Sequence, residues 1–111
     1  MSAEKNISQA LMKLGIPPST KGYRYLLKAS EMYDTTMNFS KSIYPQIACF
    51  FNVTPLSVER AIRTAIHNGY VHRDVDFAGD VFQNTLQSSN DIPTNALFIS
   101  ALAEWVKFNS N

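Results

Sequence analysis

The sequence predicts an all-α domain of about six helices. Apolar residues recur at helical spacing in one segment after another, and only four glycines and five prolines interrupt the 111 residues. No stretch reads as a firm strand; YVHRDV, from Tyr70 to Val75, is the one place where the pattern suggests a brief extension. Hydrophobic residues make up 45% of the chain and charged ones 17%, a globular rather than a disordered composition. The length suits a single domain with one core, spanning residues 1–111.

The first helix is predicted from Ile7, Ala10, Leu11 and Leu14, which follow the i, i+3, i+4, i+7 rule, and Gly15 with Pro17-Pro18 stops it. A second is predicted from Thr20 to about Thr35, burying Tyr23, Leu26, Leu27 and Tyr33, with Gly22 tolerated in its first turn. Thr36 to Lys41 is polar and reads as a connection. A third covers roughly Ser42 to Phe51, with Pro45 near its start because a proline in mid-helix costs about 3 kcal/mol. The fourth begins at Pro55 behind Thr54 as N-cap and is expected to end near His67, where Asn68-Gly69 supplies a stop. A weaker fifth helix runs from Asp74 to about Leu86, carrying Val75, Phe77, Ala78, Val81 and Phe82. After the polar stretch QSSNDIP, a strong sixth runs from Thr94 to Phe108, with Leu97, Phe98, Ala101, Leu102 and Trp105 on one side.

The third and fourth helices have helix-turn-helix spacing. Ala48 is the small residue needed where the two helices cross. Four positions on, the turn needs a backbone that accepts positive φ, and Asn52 is the best non-glycine choice. Ile47, Phe51, Val53, Val58 and Ala61 occupy the apolar positions that lock such a pair. Taking ~100° per residue, Val58, Ala61, Ile62, Ala65 and Ile66 share one face of the fourth helix. Leu56, Arg60, Arg63 and His67 fall opposite, with Ser57 and Thr64 on one flank and Glu59 bordering the apolar face. Exposed arginines on an amphipathic helix are usually only solvated. These two lie on the helix that a helix-turn-helix sends into the major groove, where arginine suits bidentate contact with guanine. Glu59 either accepts from a cytosine amino group or pairs with Arg63 at i, i+4 and orients it. Lys21, Arg24, Lys41 and Arg73 are candidate phosphate contacts.

The overall net charge of +1 does not by itself point to nucleic acid. Its distribution is uneven: residues 41–73 carry Lys41, Arg60, Arg63 and Arg73 against Glu59, and residues 74–111 carry Lys107 against five acidic groups. The middle is basic and the tail acidic. The longest apolar run, IACFF, falls far short of the roughly 20 residues of a membrane span. The N-terminus lacks the apolar stretch of a signal peptide, and a cytoplasmic, nucleoid-associated location is expected. Cys49 is expected in the core, as are Tyr23, Tyr25, Tyr33, Phe50, Phe51, Phe98 and Trp105. His67 and His72 are five apart and do not share a helix face, His72 is expected on an exposed loop, and no metal site, cofactor or catalytic constellation is predicted.

The motifs KGYRYL, YPQIA, FNVT, VERAIR and PTN, in this order and spacing, resemble the DNA-binding effector domain of the stage-zero sporulation-initiation response regulators of spore-forming Firmicutes. The resemblance covers nearly the whole chain. It implies a six-helix response-regulator effector domain, a transcription factor that binds short promoter boxes in double-stranded DNA, with copies arranged in tandem. It further implies that Pro55–His67 is the recognition helix, with Glu59, Arg60 and Arg63 reading bases and Thr54, Leu56, Ser57 and His67 flanking them. RNA polymerase sigma factor is a partner in the family, but the segment that would contact it, YVHRDVDFAGDVFQ, matches poorly. Ser57 stands where the family usually has a basic residue, and Asp91-Ile92 where basic residues tend to precede PTN. The family's phosphoacceptor receiver domain has no room in this chain, which reads either as an excised effector domain or as a stand-alone relative. A second hypothesis follows from the missing charges: a receiverless protein-interaction module that modulates a full-length regulator or sigma factor without strong DNA binding.

Overall fold

The computed structural model describes residues 3–83 and 91–109 of the chain. The described residues contain no strand and form six α-helices: α1 (Ala3–Lys13), α2 (Lys21–Met32), α3 (Tyr44–Phe51), α4 (Pro55–His72), α5 (Val75–Phe82) and α6 (Asn95–Asn109). A π-helical turn, Phe39–Ile43, leads into α3, with the Asn38 side chain accepting from the Lys41 N–H at 2.8 Å. Part of the segment expected to be a plain connection is therefore helical. Pro45 lies in the first turn of α3, the part of a helix that best tolerates proline.

All six helices contribute to one core, whose fully enclosed side chains include Leu11, Leu26, Ile47, Val58, Ile62, Ile99 and Leu102. Enclosing a side chain of this size stabilises the fold by about 1.5–3 kcal/mol relative to leaving it in water. Helix α4 lies centrally, packed against α2, α3 and α6. It buries Val58, Ile62, Ala65, Ile66 and Gly69, the face that periodicity assigns. The crossing with α2 is close because Gly22 has no side chain: a Cβ there would lie 2.5 Å from the Ala61 carbonyl oxygen and 2.8 Å from the Ala65 Cβ.

Several expectations are corrected. Helix α4 runs five residues past His67, to His72. Asn68-Gly69 does not stop it, because Gly69 serves packing: a Cβ there would lie 2.8 Å from Ile16 Cγ1 and 2.9 Å from the Leu14 carbonyl oxygen. Gly15 takes φ 86° at this contact, so the chain leaving α1 turns directly onto the glycine of α4. The supposed extension at Tyr70–His72 is helical, and His72 ends a helix rather than sitting in a loop. The backbone then turns at Arg73, and the Asp74 N–H donates to the Lys13 carbonyl at 2.8 Å. Asp74 also caps α5, its carboxylate accepting from the Phe77 N–H at 3.0 Å.

Cys49 is exposed, not buried, and Phe50 is 65% exposed. Helix α3 buries Tyr44, Ile47 and Ala48, and the 3.6-residue period carries positions 49 and 50 to the far side. The Lys28 ammonium lies 4.5 Å from the centre of the Phe50 ring. Val75 is exposed as well, on the outer side of the first turn of α5. Helix α5 ends at Phe82, with Gln83 at φ 38° as its C-cap, short of the expected end at Leu86, which itself lies outside the described residues.

Candidate nucleic-acid interface

The joint between α3 and α4 follows from its sequence. Asn52 adopts φ 57° and ψ 49°, the left-handed conformation expected of it. Its N–H donates to the Cys49 carbonyl at 3.3 Å, and the Val53 N–H donates to the Ala48 carbonyl at 2.9 Å. These are the two backward hydrogen bonds of a Schellman motif, which satisfy carbonyls that a helix end leaves open. Thr54 then caps α4 by accepting from the Ser57 N–H at 3.1 Å, and its hydroxyl donates to Ser57 Oγ at 2.9 Å. Of the expected locking residues, Ile47 and Val58 are fully enclosed and Phe51 and Ala61 partly so; Val53 is exposed.

Beyond this joint the first three turns of α4 point a stripe of side chains into solvent. Leu56, Arg60, Arg63 and His67 are all exposed, at the i, i+4, i+7 and i+11 spacing that keeps them on one face. Arg60 has no hydrogen-bond or ion-pair partner among the described residues. Arg63 donates through Nη2 to Glu59 Oε2 at 2.7 Å, the i, i+4 pairing that was one of the two alternatives for Glu59. This pair is solvent-accessible and contributes only about 0.3–0.5 kcal/mol to stability. Its consequence is geometric: in this conformation the guanidinium lies beside Glu59, one turn back along the helix.

A cleft of about 350 Å³ runs beside that stripe, walled by Tyr44, Glu59, Arg63 and His67 on one side and by Ile92–Ala96 on the other. Thr94 caps α6, accepting from the Leu97 N–H at 3.2 Å. Asn95 then reaches across: its Nδ2 donates to the Glu59 backbone carbonyl at 3.1 Å and to the Tyr44 hydroxyl at 3.2 Å. One half-buried amide thus ties the start of α6 to α3 and to α4 at the residue before Arg60. Burial raises the Tyr44 phenol above the ordinary tyrosine value, against the opposing effect of the Asn95 hydrogen bond, and the phenol remains a neutral partner at physiological pH. Neither Asn95, within PTN, nor Tyr44, within YPQIA, shows this role in the sequence. A polar residue at a helix start reads as a cap, and periodicity carries no signal for a bond spanning 36 positions.

The candidate phosphate contacts divide. Lys21, Arg24 and Lys41 are exposed. Lys21 adjoins Gly22 at the α2–α4 crossing, and Arg24 lines a groove with Phe50 and Phe51 beside the helix-turn-helix. Arg73 is not brought to this surface. It follows the last turn of α4, thirteen residues beyond Arg60 and so roughly 20 Å along the helix. There its guanidinium donates to the Tyr70 carbonyl at 2.6 Å and lies 3.8 Å from the centre of the Tyr70 ring. Asp91 and Ile92, the departures from the family's basic pattern, are both exposed beside the cleft.

Residues 7–106 match the family model described as Sporulation initiation factor Spo0A C terminal. The chain belongs to this family. The match spans all six helices except the outer ends of α1 and α6. At the level of the family, the domain is a helical, DNA-binding regulator of transcription in sporulation, and the family is not one of enzymes. No helix among the described residues is long and apolar enough to cross a membrane.

Proposed function

We propose that this domain binds double-stranded DNA sequence-specifically, with the first turns of α4 in the major groove, and that it thereby controls transcription of sporulation-linked promoters. The observation that carries the reading is the outward stripe of α4, where Arg60 has no partner among the described residues and Arg63 is paired with Glu59. Guanine offers O6 and N7 side by side, an edge that the planar fork of a guanidinium matches with two parallel hydrogen bonds. Arg60 and Arg63 are the base readers. Glu59 orients Arg63 and, where the pair opens, accepts from a cytosine amino group. Thr54 and Ser57 fix the helix start, and His67 closes the far end of the stripe. Lys21, Arg24 and Lys41 contact phosphates, which position the domain without specifying sequence. Association of copies on tandem boxes, contact with RNA polymerase sigma factor and a nucleoid location in the cytoplasm belong to the same reading.

The test is affinity across a panel of single base-pair substitutions in a duplex selected from a random library. Arg60→Ala and Arg63→Ala should each lose ~1–3 kcal/mol of discrimination at one base pair. Lys21→Ala should weaken all sequences alike and reduce the salt slope by about 1. A uniform loss for the arginine variants would reject base reading. A salt slope near zero for the unmodified chain would favour the protein-interaction module instead.

A further inference from the structure

The first turn of α4 bears no charged side chain, and its Thr54 and Ser57 hydroxyls are bonded to each other. Yet it presents Leu56 with 52% of its surface in solvent. A single exposed leucine is unremarkable on a protein surface. This one lies on the stripe of Arg60 and Arg63, one turn nearer the helix start, and the N-terminal residues of a recognition helix are those that meet base edges. Arg60 and Arg63 answer the polar atoms of the groove; a leucine in line with them has no polar atom to answer. The major-groove edge has one apolar feature that suits it, the C5 methyl group of thymine.

We propose that Leu56 is a specificity-determining residue that reads a thymine methyl group next to the base pairs contacted by Arg60 and Arg63. The proposal rests on the groove reading above and adds a base identity to it. Leu56 fits over the methyl by shape and excludes water from it. Cytosine, which presents an amino group and no methyl, leaves the leucine against a polar edge. Because the contact needs only the methyl, it is blind to the thymine hydrogen-bonding groups.

The experiment replaces thymines of the selected duplex one at a time by deoxyuridine, which removes the methyl and keeps the pairing. The unmodified chain should lose roughly three- to tenfold in affinity at one position, the effect of about one buried methyl group. Leu56→Ala should bind the thymine duplex more weakly by a similar factor and be indifferent to the replacement at that position. Leu56→Met, which keeps an apolar side chain of similar volume, should retain most of the sensitivity. Circular dichroism melting checks that both variants fold, which the exposure of Leu56 favours. If every thymine tolerates replacement, or if the loss is as large in Leu56→Ala, the proposal is overturned. Should Arg60→Ala and Arg63→Ala still alter base preference in that case, the groove reading stands and only the role of Leu56 falls. If the unmodified chain has no base preference at all, both fall.

Discussion

The first turns of α4, Pro55 to Arg63, hold Leu56, Arg60 and Arg63 out in solvent, whereas its last turns press Gly69 against the backbone that leaves α1. The same continuous helix is thus open at one end and clamped at the other. At the open end, the outward side chains can change with little consequence for packing, since Val58, Ile62 and, in part, Ala61 carry the core on the inner face there. At the clamped end the absence of a side chain is itself the contact. The difference teaches how a small domain holds a reading surface steady: binding residues need a rigid base, and here the rigidity comes from the far end of the helix and from Asn95 at its side.

That division can be broken from either end. Gly69→Val should have the largest effect, destabilising the domain by about 3 kcal/mol, because its branched side chain would overlap Ile16 and the Leu14 carbonyl. Urea unfolding measures the loss, and base preference in the remaining folded fraction should be unchanged. Unaltered stability would mean that the crossing has slack and that the clamp is not one. The arginine variants give the converse, ~1–3 kcal/mol of lost discrimination with stability within about 0.5 kcal/mol. A smaller effect sharpens the role of the bracket. Asn95→Ala removes bonds to the Glu59 carbonyl and the Tyr44 hydroxyl, at a cost of about 1 kcal/mol in stability. It should also blunt discrimination at the Arg63 base pair more than at others. If discrimination falls evenly across the site, Asn95 supports the fold without positioning the helix.

The two ends also differed in how far they could be read from sequence. The reading end was legible in detail: Asn52 in the left-handed conformation, Thr54 as cap, Val58 and Ile62 inside, Arg60 and Arg63 outside. Each of these depends on local backbone geometry or on helical period, which a sequence displays directly. The clamped end was misread because glycine has two uses. Asn68-Gly69 has the composition of a helix stop, and only the approach of Gly15 and Ile16, more than fifty positions away, turns it into a packing contact. Cys49 and Phe50 were misplaced for a related reason. IACFF is apolar throughout, so composition could not say which side faces out, although the period anchored on Ile47 and Ala48 could. Asn95 was missed because the partner of a long-range side-chain bond is set by tertiary placement alone.

Backbone amide chemical-shift mapping, with the selected duplex titrated into the isotope-labelled domain, tests the central claim most directly. The account predicts the largest changes at Thr54–His67 and at Thr94–Ala96, where the helix-turn-helix and the cleft present one surface, and small ones from Gly69 through Phe82. The largest changes at Tyr70–Phe82 instead, with the Arg60 and Arg63 amides unmoved, would contradict it.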